Sequence, residues 1–192
     1  MSAGHHLFWI TSRAAGSAAL ITASVSVCLG IMMGRRRSGS TTLAELRPVH
    51  EALSLATLAL IALHGIALLG DSYLKPGLAG ISIPFAGSYR PGWTAVGIVA
   101  GYGLAALGLS YYARTRIGAQ RWRRLHRFAA LFWLLGVLHT FGSGTDAGQP
   151  WFLLMTGAAV LPAALLVGGR TLRGIGAALD LPRTEAPVRP AP

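Results

Sequence analysis

The sequence is short of charge. Only 12% of its 192 residues are charged, about half the share that a soluble domain of this size carries. Acid is scarcer still, with six Asp and Glu against seventeen Lys and Arg. The single cysteine, Cys28, excludes an intrachain disulfide and cannot build a thiolate metal site by itself. It is expected to pack as a small apolar residue. No glycine-rich strand–turn–helix unit for a nucleotide occurs. The nearest pattern, "GRTLRGIG", opens a basic tail and lacks the βαβ context. The net charge of +11 comes with no nucleic-acid motif, and the basic residues cluster at the ends of apolar runs. That placement points to membrane topology and lipid, not to nucleic acid.

What the chain does have is hydrocarbon, at 53% hydrophobic residues, together with 25 glycines. Long apolar runs and small residues at helix contacts are the composition of a polytopic membrane bundle. The expected fold is therefore all-α, with about five transmembrane helices near residues 7–34, 50–70, 91–112, 122–142 and 151–169. Breaker-rich segments separate them, "RRRSGSTT" and "GSGTDAGQP" among them. Trp9, Trp93, Trp122 and Trp151 fall at predicted interfaces, where an amphipathic ring is favoured. Fourteen arginines gather on one side of this scheme, and only Arg13, Lys75 and Arg90 belong to the other. The positive-inside rule then puts the N-terminus outside and the C-terminus in the cytoplasm. The first span carries its positive charge after the apolar run, unlike a cleavable signal peptide. Residues 1–170 are expected to form the membrane domain. Residues 171–192, ending "LPRTEAPVRPAP", are expected to be a disordered, basic, Pro-rich cytoplasmic tail.

Within the fourth span, "HRFAALFWLLGVLHT" holds a histidine near each end, with no hydroxyl or amide side chain between them and no charge beyond Arg127, next to the first. The second span carries a matching pair. Running in the same direction, the two spans put His50 level with His126, and His64 level with His139. At 1.5 Å per residue the two levels are about 20 Å apart, most of the way across a hydrocarbon core of roughly 30 Å. Two facing imidazoles at each depth suit a porphyrin iron, which needs only two axial ligands from protein. They suit zinc poorly, since zinc takes about four ligands and no acid or thiol lies at these depths. The expectation is two b-type haems, with His50 and His126 on the inner iron and His64 and His139 on the outer. The alternative is a haem-free transporter or scaffold using the histidines structurally or as a proton relay. One spacing resists. Fourteen residues return His64 to within about 40° of the His50 face, but thirteen leave His139 about 140° from that of His126. A local twist, a tilt, or haems on different sides would each answer it. His5 and His6, adjacent near the N-terminus, receive no role.

The second and fourth spans also echo each other. "ALHGIALLGD" and "VLHTFGSGTD" each place an aspartate, Asp71 or Asp146, seven residues after the histidine. Both are expected to act as turn formers.

With these spacings and "WRRLHR" ahead of the fourth span, residues 8–170 resemble the ferric reductase-like transmembrane domain. That domain is the haem core shared by NADPH oxidases, ferric reductases and the haem subunit of bacterial methionine sulfoxide reductase systems. The resemblance implies one-electron transfer across a cell membrane, here of the bacterial inner-membrane type. It implies that Arg13, in "TSRAAG", lies near a haem propionate and that Phe132 is the aromatic between the haems. Members commonly have six spans where five are found here, and oxidases carry a flavin and NAD(P)H domain after the last span. No flavin or nicotinamide site is expected in this chain. The donor would be a separate cytoplasmic flavoprotein reductase or quinol. The outer acceptor stays open among dioxygen, ferric iron and a periplasmic partner.

Overall fold

The structure is a computed structural model that describes residues 3–35 and 41–179. Among them are eight α-helices: α1 (Ala3–Arg35), α2 (Thr41–Leu69), α3 (Gly77–Ser82), α4 (Pro91–Leu109), α5 (Arg114–Ile117), α6 (Ala119–His126), α7 (Ala129–Ser143) and α8 (Pro150–Leu179). A 3-10 turn, Ser110–Ala113, joins α4 to α5. No strand occurs among the described residues. Five stretches are long and apolar enough to cross a membrane: His6–Gly34, Glu45–Leu69, Pro91–Ile117, Ala119–Ser143 and Pro150–Gly176. They coincide with the five expected spans. In hydrocarbon a backbone must satisfy its own N–H and C=O groups, which is why uninterrupted apolar runs fold as helices.

The helices pack chiefly as two antiparallel pairs, α1 with α2 and α4 with α7, and α8 lies against α1. The contact that joins the pairs centres on Trp133 of α7. Its ring is buried with Leu20, Ala23, Val137 and Ala163, and its indole N–H donates to Ser24 Oγ of α1 at 3.0 Å. Association inside a bilayer gains little from hydrophobicity, so close packing of small residues and such buried hydrogen bonds hold the bundle. Side chains such as Leu154, Leu165 and Ile66 point outward, as an apolar belt for lipid does.

Breaks fall where the sequence supplies them. Gly118, with φ at +89°, separates α5 from α6 in a conformation that an L side chain resists. Pro91 opens α4 at a position whose missing N–H is no loss. Arg90 ahead of it donates to Gly142 O at 2.6 Å and ties the 70–90 connection to the end of α7.

Two features depart from the sequence expectations. Helix α8 runs on through Leu179, nine residues past the expected start of the tail, because "TLRGIGAAL" contains no proline to stop it. The remainder of the expected tail, 180–192, lies outside the described residues, as do Arg36, Arg37, Arg183 and Arg189. The fourth span is also two helices. α6 ends at His126 and α7 begins at Ala129.

Candidate functional site

The α6–α7 break answers the thirteen-residue spacing. Around it Phe128 N–H bonds to Leu125 O, Ala130 N–H to Arg127 O and Leu131 N–H to Phe128 O, each three residues back. Such tightened steps add about 20° and 0.5 Å per residue over an α-helix. Three of them lengthen the thirteen-residue interval to about 21 Å, the rise of fourteen α-helical residues. They also supply part of the missing rotation.

All four histidines meet in pairs. The ring centres of His50 and His126 lie 6.2 Å apart with planes at 87°. Those of His64 and His139 lie 6.4 Å apart at 74°. Each ring is also tethered the same way, with Nδ1 donating to a backbone carbonyl of the antiparallel neighbour. His50 Nδ1 lies 3.0 Å from Ser26 O, His64 Nδ1 2.8 Å from Ser12 O, His126 Nδ1 3.3 Å from Leu107 O and His139 Nδ1 2.8 Å from Trp93 O. On each neighbouring helix the two acceptors are spaced alike, Ser12 to Ser26 on α1 and Trp93 to Leu107 on α4. A proton on Nδ1 makes Nε2 the basic nitrogen, and no hydrogen bond among the described residues engages an Nε2.

The rings can lie flat on their neighbours because glycines face them. A Cβ at Gly16 would sit 3.1 Å from His64 Nδ1, and one at Gly30 3.3 Å from His50 Cε1. At Gly97 a Cβ would collide with the His139 ring, and at Gly103 with the Phe132 ring. Phe132 therefore lies in the α4–α7 groove between the two levels, and Trp133 beside it faces α1.

At the His50/His126 level a cavity of about 590 Å³ is lined by both rings, Ser54, Trp133 and Val167, and by Arg123, Arg127 and Arg170. The three arginines are exposed, and none is ion-paired among the described residues. Trp122 stacks on His126 with ring centres 4.8 Å apart and donates its N–H to Ser110 Oγ. At the other level Arg13 forms an ion pair with Asp146 and stacks over Trp9. Asp71 does form a turn, its Oδ1 accepting from the N–H groups of Tyr73 and Leu74. Asp146 does more than that, because its carboxylate holds Arg13. His6 is exposed at the start of α1.

The model of the family described as ferric reductase like transmembrane component matches residues 15–137, more than half of the chain. The chain belongs to that family. The match spans His50, His64 and His126 and stops two residues before His139. No curated protein matches the chain, and no solved structure does.

Several members of this site escape a reading of side-chain spacing alone. Trp93 and Leu107 act through carbonyls, which any residue possesses. Ser12, Gly16, Ser26 and Gly30 did leave a signal: S-x-x-x-G occurs twice in α1, fourteen residues apart, the spacing of His50 and His64.

Proposed function

We propose that the chain is a di-haem b-type cytochrome that carries single electrons across a membrane, with His50 and His126 on an inner iron and His64 and His139 on an outer one. The family supports transmembrane electron transfer. The observation that carries the di-haem reading is the shared tether. Four Nδ1 atoms are bound to carbonyls of a neighbouring helix, as metal-ligating histidines commonly are, and the rings face one another in pairs. Ring centres 6.2 and 6.4 Å apart set two imidazoles against each other at each level, where a haem would find both of its protein ligands. Among the described residues no three His, Cys, Asp or Glu side chains converge, so a bare ion would find two protein ligands where a porphyrin iron needs no more.

When bound, each haem iron cycles between ferric and ferrous and so holds one electron at a time. The protein's part is to hold and orient. Arg123, Arg127 and Arg170 offer cations to haem carboxylates at the His50/His126 level, and Arg13, ion-paired with Asp146, is a cation at the other. Phe132 stands between the levels as the intervening aromatic. The arginine-rich end at His50 and His126 is the cytoplasmic one under the positive-inside rule. Its positive surface would steer an acidic flavoprotein, with quinol as the other donor. The acceptor is reduced at the end near Arg90 and Trp93, where an open depression of about 580 Å³ borders the carbonyl that holds His139.

Purification from haem-replete cells tests this. Two haems per chain with low-spin spectra are expected. His50→Ala or His126→Ala should remove one haem, and His64→Ala or His139→Ala the other. Full haem content in all four variants would reject the ligand assignment.

A further inference from the structure

The two histidines of α2 are held differently from the two that follow in the fourth span. His126 and His139 each have a single carbonyl acceptor. His50 and His64 have a carbonyl and, in addition, a serine hydroxyl. Ser26 Oγ lies 3.0 Å from His50 Nδ1, and Ser12 Oγ lies 3.0 Å from His64 Nδ1.

The direction of these bonds follows from counting protons. A serine hydroxyl has one proton and two lone pairs. Ser12 donates its proton to His64 O at 3.1 Å, so toward His64 Nδ1 it can only accept. Ser54 donates to His50 O at 2.8 Å, so the 2.9 Å contact between Ser26 and Ser54 takes its proton from Ser26. Ser26 is then also an acceptor toward its histidine. In both places the arrangement requires a proton on Nδ1 and leaves Nε2 as the coordinating nitrogen. One turn further along α1, Gly16 and Gly30 clear the space into which those rings fold. Ser12 and Ser26 are both buried, so water does not compete for the bonds.

We infer that α1 carries two copies of one positioning cassette, Ser12 with Gly16 and Ser26 with Gly30. Each copy fixes the tautomer of one α2 histidine and sets the potential of its own haem, independently of the other. This rests on the di-haem reading above. A second acceptor on Nδ1–H draws that proton away and enriches the imidazole in electrons, which favours ferric iron and lowers the potential. The serines are positioning residues, since they touch ligands and not iron.

The test is a redox titration of the full-length haem-loaded protein, with Ser26→Ala, Ser12→Ala and the hydroxyl-preserving Ser26→Thr. Both alanine variants should keep two haems. In Ser26→Ala the potential of the His50/His126 haem should rise, by up to about tenfold in its one-electron equilibrium or ~59 mV, with the other unmoved. Ser12→Ala should do the converse, and Ser26→Thr should stay near wild type. Two bound haems with unmoved potentials in both alanine variants would overturn the inference. So would equal shifts of both haems in each variant, or a shift in Ser26→Thr as large as in Ser26→Ala. Wild-type protein without haem would instead reject the reading beneath it.

Discussion

Gly97 should be a glycine this protein can ill afford to change. It faces the His139 ring so closely that a Cβ there would overlap ring atoms, and that ring is not free to yield. Its Nδ1 is tied to Trp93 O at 2.8 Å, one turn away on the same helix. Carbon–carbon contacts settle near 3.5–4.0 Å, so Gly97→Ala must move the ring by about an ångström or push α4 from α7. Overpacking of this kind costs roughly 1–3 kcal/mol. Loss of a ligand's supporting hydrogen bond weakens metal affinity by about 10–100-fold. A factor of ten is about 1.4 kcal/mol, so the two estimates agree. Haem content by pyridine haemochrome, with a redox titration to identify what remains, should show the His64/His139 haem lost or weakly held and the other retained. Gly136→Ala in α7, where a Cβ meets nothing within 4 Å, is the matched control and should keep both. Two tightly held haems at wild-type potentials in Gly97→Ala would refute the placement of His139 against α4.

Arg13→Ala should lower the potential of the His64/His139 haem, since it removes a cation and leaves the Asp146 carboxylate uncompensated. Asp146→Asn should raise it, each by on the order of 1 kcal/mol if the charge acts through partly screened surroundings. An unmoved outer potential in both would leave the pair as an interface anchor. In a Cys28→Ser background, a cysteine at Gln120 should label only from the cytoplasmic side, and strong labelling from outside would invert the inner and outer assignments. Purified flavin-free protein should be reduced by dithionite but not by NADH, because a hydride brings two electrons and a flavin ordinarily divides them. Rapid reduction by NADH alone would require a nucleotide site in this chain.

Periodicity and composition were enough for the five spans, for the pairing of His50 with His126 and of His64 with His139 by depth, and for the face shared by His50 and His64. Those properties depend on hydrocarbon length and helical repeat, which are local and additive along the chain. The thirteen-residue interval was not legible, because it includes a tightened junction at Arg127–Phe128 that no residue type announces. Arg13 could be placed at the level of His64 and His139 from its position in the first span. That it holds Asp146, 133 residues away, depends on how α1 meets the connection between α7 and α8. The acceptors of the four Nδ1 protons were the least legible of all. Two of them, at Leu107 and Trp93, are purely main-chain, and main-chain carbonyls are identical at every position. Only the packing of α1 on α2 and of α4 on α7 decides which carbonyl a histidine finds, and through it which nitrogen is left to face its partner.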